Sequence, residues 1–174
     1  MAADNATDTV PDAAPDARPD ARREEASLPV IPPSLPREDV EADGRVGAVA
    51  YPYRVYEVTV TVGRKFLPER ELTYVVSVDR ARRLVLRADT VPDVETRDVE
   101  DVLVLPADLP EELCRERAHD TVFGWTTRKF ALGSSPDIDF ERGIEAYKLF
   151  WLVERDGGDV IVDSVSGEES PLDG

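Results

Sequence analysis

Between residues 51 and 62 apolar and polar positions alternate, with Tyr56, Val58, Val60 and Val62 on one face and Tyr53, Val55 and Thr59 on the other. A period of two held over that length predicts a long β-strand. Gly63 to Arg70 is polar, carries Pro68 and reads as a connection. Leu72, Tyr74, Val76 and Val78 then alternate again, and beyond a turn at Asp79-Arg80-Ala81-Arg82 the residues Leu84 and Leu86 continue a third strand. Three strands on short connections predict an antiparallel meander. Residues 90 to 107 read as a loop ending in a short strand, Val102-Leu103-Val104-Leu105, between Pro92 and Pro106.

The period changes after Pro106. Cys114, Ala118, Val122 and Trp125 fall at steps of four, four and three, which puts them on one face of a helix from about 109 to 130. Asp108 is placed to cap it, Pro110 suits its first turn, and Glu111 and Glu112 sit where the helix dipole favours anions. Gly124 suggests close approach to a strand. A long strand is expected over 142–154, turning at Asp156-Gly157-Gly158 into Val160-Ile161-Val162-Asp163.

Residues 1–45 hold 7 of the 14 prolines, 11 acidic residues and no aromatic, with Pro-Asp-Ala recurring at 11–13, 15–17 and 19–21. Such a segment buries too little to offset its ordering entropy and is expected to be a disordered tail. Its one apolar island, Pro29 to Pro36, suits an extended spacer, a strip over the domain or a ligand for an aromatic groove. The expected organisation is thus a tail over 1–45, one domain over 46–169 and a flexible terminus over 170–174. The expected fold class is α+β: an antiparallel sheet of about five or six strands packed by one main helix.

Charge changes the picture next. The chain has 37 acidic and 21 basic residues, a formal net charge of −16, and its bases are 18 Arg against 3 Lys. That balance argues against nucleic acid as a partner. Self-repulsion of this size opposes compaction unless salt screens it, and at about 1 M salt the Debye length is only about 3 Å. The composition resembles that of cytoplasmic proteins of extreme halophiles, haloarchaea above all, with weakly hydrated Arg favoured over Lys. No run of about 18 uncharged apolar residues is present, so no membrane span is expected. The opening Met-Ala-Ala-Asp-Asn does not read as a signal peptide, and the location expected is cytoplasmic.

Two strand regions echo each other. Tyr53-Arg54-Val55-Tyr56-Glu57-Val58 matches Tyr147-Lys148-Leu149-Phe150-Trp151-Leu152 in type, and Val76 to Asp79 matches Val160 to Asp163 downstream. The second copy follows a helix and runs into Val162-Asp163-Ser164-Val165-Ser166-Gly167-Glu168. In that order residues 109–169 resemble the PepSY module and related cystatin-like repeats. The resemblance implies a helix packed on a hairpin, an Asp and a Gly that build a turn, and a non-catalytic binding or regulatory role. The first copy departs from the motif, with Arg83 where the Gly would fall.

Chemistry-bearing residues are few. One Cys and one His exclude an intrachain disulfide and the usual zinc sets. Cys114 and His119 point about 140° apart on one helix, so Cys114 is expected in the core and His119 in solvent. Carboxylate pairs such as Asp137 with Asp139 are expected by number alone in so acidic a chain, and no phosphate loop or nucleophile elbow is present. Catalytic, metal and cofactor residues are therefore expected to be none.

Two constellations remain. Arg80, Arg82, Arg83 and Arg87 fall on the predicted hairpin, with Arg83 and Arg87 on one face and Leu84 and Leu86 on the other, positioned for an anionic partner or for nearby acids such as Asp79 and Asp89. Tyr53, Tyr56, Tyr147 and Trp151, with Tyr51 and Phe150, converge as an aromatic groove or core if the echoing strands pair. The expected function is a non-enzymatic interaction or regulatory module adapted to high salt, whose partner is an unidentified protein or a second copy held through an edge strand. The alternative is a small-ligand domain with an aromatic pocket between helix and sheet.

Overall fold

A computed structural model describes residues 22–172. The elements are β1 (Arg22–Val30), β2 (Val46–Arg64), β3 (Leu67–Asp79), β4 (Leu84–Ala88), β5 (Glu95–Val104), α1 (Glu111–Lys129), β6 (Asp137–Val153), β7 (Val160–Asp163) and β8 (Glu169–Pro171). The strands form one sheet in the order β4-β3-β2-β5-β1-β6-β7-β8. β2 also pairs with β6 over nearly its whole length, from Val46 opposite Val153 to Thr61 opposite Asp137. That pairing closes β2, β5, β1 and β6 into a four-stranded barrel.

β2 organises the interior because its even-numbered residues share one face. Ala48 and Ala50 face the barrel, where small side chains leave room for Leu149 and Trp151. Ala26, Leu28 and Val30 of β1 and Val99, Val102 and Val104 of β5 complete that core. Further along the same face, Tyr56, Val58, Val60 and Val62 meet Tyr74, Val76 and Val78 of β3 under α1. One strand thus serves two adjoining apolar clusters. α1 buries Cys114, Ala118, Val122 and Thr126, while Trp125 is half-buried against Tyr74 at 5.6 Å.

The expected α+β class does not hold. The described residues are 53% strand and 15% helical, in eight strands with a closed barrel and one α-helix. The additional strand content comes from residues read as tail or loop. Arg22–Val30 becomes β1 because Ala26, Leu28 and Val30 point into the barrel at period two and outweigh the charged flank Arg22-Arg23-Glu24-Glu25. β1 pairs antiparallel with β5 from Arg22–Leu103 to Val30–Glu95. The part of the expected tail between 22 and 45 is therefore structured, and the expectation for 1–21 lies outside the described residues. At the other end Glu169–Pro171 pairs with β7 instead of extending freely, and Arg155 grips Glu169 through both carboxylate oxygens at 2.8 and 2.7 Å.

The apolar island lies across the barrel. Ile31 N–H donates to Tyr147 O at 3.0 Å, Ser34 and Leu35 N–H both donate to Ser164 O at 2.9 Å, and the Trp151 indole donates to Leu35 O at 2.8 Å. Two helix details also differ from expectation. Pro110, not Asp108, is the N-cap residue and no side chain caps the helix. Gly124 faces open space, so no strand approaches it. α1 packs on β2, β3 and β4, and β7 pairs with barrel strand β6, adding Val162 to the barrel core.

Candidate partner-binding edge and its arginine turn

Asp79 builds the turn that delivers β4. Its carboxylate, fully buried, accepts from Ala81 N–H at 3.0 Å and Arg82 N–H at 2.9 Å, and from Arg82 Nε at 2.5 Å. A side-chain acceptor for backbone N–H groups two and three residues on is the bond pattern that makes Asp a turn former. Arg83 closes the turn in the left-handed region at φ 60°. β4 then pairs with β3, from Asp79–Leu84 to Val75–Ala88. Among the described residues its other side has no strand neighbour.

The four arginines of this region have separate fates. Arg80 donates to Leu109 O at 2.9 Å and to Glu145 at 3.3 Å. Arg82 is held by Asp79, donates to the Tyr53 hydroxyl at 3.1 Å and lies over the Tyr51 ring at 4.7 Å. Arg87 sits opposite Val76, hence on the helix face, and covers the Tyr74 and Trp125 rings at 5.0 and 5.9 Å. Arg83 does not share a strand face with Arg87, because it belongs to the turn; its carbonyl accepts from Arg117 at 3.2 Å. The four therefore form no joint cluster. On the other face of β4, Leu84 and Leu86 are each 46% exposed.

The sequence echo is a geometric one at the turns. Asp163 repeats the Asp79 pattern, accepting from Val165 N–H at 2.8 Å and Ser166 N–H at 3.1 Å. Gly167, four residues on, is left-handed at φ 76°, as Arg83 is after Asp79. Pairing is not repeated: Tyr53 lies opposite Asp79, whereas Phe150, the counterpart of Tyr56, lies opposite Asp163. Lys148 reaches Asp163 at 2.7 Å. Burial pushes the Asp163 carboxyl up, but Lys148 and the two backbone donors outweigh it and hold it below the ordinary range.

The echoing strands do pair, yet the aromatic set divides by parity. Tyr147 lies opposite Pro52 and Trp151 opposite Ala48, on the even face of β2 with Tyr56. Tyr53 is on the odd face, with Tyr51 and Phe150, whose rings meet edge-on at 4.8 Å. Trp151 fills the barrel beneath Arg37, whose guanidinium is 5.1 Å from its ring, and Tyr147 packs half-buried at the barrel. Tyr56 lies under α1 with its ring edge-on to Phe140 at 5.2 Å. The four residues expected as a groove thus line no common groove. Burial, and Asp79 after it, raises the Tyr53 hydroxyl well above the usual tyrosine range.

A cleft of about 580 Å³ opens between the first turn of α1 and strands β2 and β6, lined by Tyr56, Phe140, the arginines Arg54, Arg115 and Arg142 and the glutamates Glu111, Glu112 and Glu141 among others. Gly143 forms its floor, where a Cβ would come within 3.2 Å of the Tyr56 ring. Arg54 bridges Glu111 at 2.8 Å and Glu145 at 3.6 Å. Tyr56 is 4% exposed, and among the described residues its hydroxyl has no hydrogen-bond partner. Nearby Cys114 is buried and its thiol is pushed up by that burial, whereas His119 is exposed beside Asp120, so the two do not meet. No group of three or more metal-binding side chains occurs among the described residues. No helix there is long and apolar enough to cross a membrane.

No family model, curated protein or solved structure matches the chain.

Proposed function

We propose that this protein is a non-enzymatic interaction module working at high salt, and that β4 is its binding edge, pairing with β4 of a second copy. One observation carries the reading: the edge is self-complementary. Antiparallel pairing centred on Leu86 sets Leu86 against Leu86, Leu84 against Ala88 and Val85 against Arg87. No like charges face each other within the strand, and the exposed leucines are covered. Unpaired strand edges with apolar side chains associate by this route unless something blocks them. The surface charge keeps such a chain dissolved in brine, where screening removes repulsion between copies.

The test is sedimentation velocity across a concentration series in about 2 M KCl, where the Debye length is no more than about 3 Å. The wild type is expected to dimerise and Leu86→Lys to remain monomeric. A wild type that stays monomeric throughout, or a Leu86→Lys protein that dimerises equally well, contradicts the reading. Circular dichroism at low and molar salt tests the salt requirement, and full folding in dilute buffer counts against it.

A second reading, a small-ligand domain, is favoured by the cleft between α1 and the sheet, with its arginines and the unpartnered Tyr56 hydroxyl. Sites of this size hold drug-sized ligands. Binding of a small organic anion there should shift the amides of Glu111 to Leu113, at the uncapped helix start, and should fail in Arg115→Gln with Arg142→Gln.

A further inference from the structure

The tripeptide Arg-Lys-Phe occurs twice, at Arg64-Lys65-Phe66 and Arg128-Lys129-Phe130, and the fold brings both to one end of the molecule. The first straddles the β2–β3 hairpin, where Arg64 pairs with Leu67 and leaves Lys65 and Phe66 as the turn. The second ends α1. Ser134 N–H donates to Gly63 O at 2.9 Å, and its hydroxyl accepts from Gly63 N–H at 3.1 Å. Gly133 lies so close to β2 that a Cβ there would come within 2.7 Å of Val62 Cγ1. The loop after α1 is thereby fastened beside the hairpin.

Three apolar side chains project from this end. Phe66 is 92% exposed, Leu132 is 98% exposed, and Leu67 is also exposed. Phe66 is the most informative. It is left-handed at φ 65°, a conformation costing a side-chain-bearing residue roughly 1–2 kcal/mol, where Gly or Asn is the usual occupant. At that exposure the ring returns nothing to folding, so neither turn chemistry nor core packing accounts for an aromatic there. The charge of this end is also exceptional. Segments 64–71 and 128–137 contain five bases, Arg64, Lys65, Arg70, Arg128 and Lys129, against three acids, Glu69, Glu71 and Asp137, a net positive end in a chain of net charge −16. The helix dipole accounts for Arg128 and Lys129 at the C-terminus of α1. It does not account for Arg64 and Lys65.

We infer that this end docks on an anionic membrane surface: Phe66, Leu67 and Leu132 enter the boundary between headgroups and acyl chains, while Arg64, Lys65, Arg128 and Lys129 meet the phosphates. Apolar side chains ringed by cations have the character of interfacial binding. The shape favours a membrane over an acidic protein, because Phe66 on the β2–β3 turn and Leu132 in the loop after α1 are both almost fully exposed, and a lipid surface deforms around such separate points. Lys65 Nζ lies 5.3 Å from the Phe66 ring centre, so cation and ring project together. At molar salt both the repulsion between the acidic body and an anionic surface and the long-range attraction of the basic residues are screened within about 3 Å, so apolar insertion and direct contact between cation and phosphate carry the binding. These residues are separate from the β4 edge, and the inference does not rest on self-association.

The test is flotation of the full chain with phosphatidylglycerol–phosphatidylcholine vesicles, against phosphatidylcholine alone, in about 2 M KCl. The wild type is expected to float with the anionic vesicles and not with the neutral ones. Phe66→Ser with Leu132→Ser is expected to lower the partition coefficient about tenfold or more, given the worth of burying large apolar side chains. Lys65→Gln with Lys129→Gln should lower it on anionic vesicles alone. All four positions are on the surface, and circular dichroism at the same salt reports that the variants are folded. Absence of flotation by the wild type, equal flotation on neutral vesicles, or undiminished flotation of the Ser variant overturns the inference, as does binding to soluble polyglutamate without binding to vesicles.

Discussion

Arg82 and Asp79 form a closed unit at the head of the edge strand: the buried carboxylate accepts both the backbone N–H and the Nε of the same arginine, at 2.9 and 2.5 Å. The guanidinium, tethered in this way, reaches the Tyr53 hydroxyl on β2. The position of β4 thus depends on a charged group that sheet pairing alone does not satisfy. Asp79→Ala removes the acceptor for two backbone donors and strands the arginine. It should cost about 2–3 kcal/mol, since bonds to charged groups contribute about 1.5–3 kcal/mol each and some loss is relieved by water. Asp79→Asn keeps a turn acceptor and should lose less. Chemical denaturation at high salt measures both.

Tyr53 predicts behaviour at the alkaline end. Its hydroxyl is raised above the usual tyrosine value, so the folded state favours the neutral form. The stability this represents is present below the unfolded value near pH 10 and is lost as pH rises above it toward the folded value. Burial raises the Tyr56 hydroxyl as well, so ultraviolet titration should show both tyrosines ionising only with alkaline unfolding, and Tyr53→Phe should reduce that step without removing it. Ionisation of every tyrosine in the folded protein near pH 10 would contradict the burial of Tyr53.

At the acid end the sign reverses. Asp163 is lowered in the folded state, so its contribution exists above the unfolded value near pH 4 and disappears as pH falls through the lower, folded one. Lys148→Met should shrink that acid-dependent part, and Asp163→Asn should abolish it while keeping an acceptor for Val165 and Ser166. Midpoints of urea unfolding between about pH 2 and 6, bracketing that carboxyl range, measure the difference.

The Trp151 indole ties the proline-rich strap to the barrel through Leu35 O. Trp151→Phe should cost about 1 kcal/mol for the bond, with some further loss of packing. Hydrogen exchange at Ser34 and Leu35 should accelerate, while amides shared by β2 and β6 keep their protection. Unchanged exchange at those two residues would mean that their bonds to Ser164 hold without the indole.

What could be read from the sequence followed local signals. The helix at Glu111–Lys129 lies within the expected span because Cys114, Ala118 and Val122 repeat at its period. β2, β3 and β4 follow from alternation and from the Asp79 turn. The barrel depends on non-local pairings with little local signature: β1 meets β6 at Val30 and Tyr147, and β2 meets β5 over Ala48 to Ala50. β1 was hidden because Pro29 and its charged start resemble a solvated tail, while only Ala26, Leu28 and Val30 carry the inward pattern. The aromatic set divides by register, since pairing Pro52 with Tyr147 sends Tyr53 and Tyr147 to opposite faces. The arginines separate by conformation, since the left-handed Arg83 leaves the strand. The repeated Arg-Lys-Phe was visible as a string, but its meaning depends on Gly63 meeting Ser134.

Self-pairing of β4 has a positional signature that no other mode of association shares. In the register centred on Leu86, residue 86 faces itself, whereas Leu84 faces Ala88 and is four residues out of step with its own copy. Leu86→Cys, oxidised mildly in about 2 M KCl, should therefore give a disulfide-linked dimer rapidly, and Leu84→Cys should not, the native Cys114 being buried in both. Equal crosslinking at the two positions, or none at either, would mean that the edge of this sheet does not join two copies.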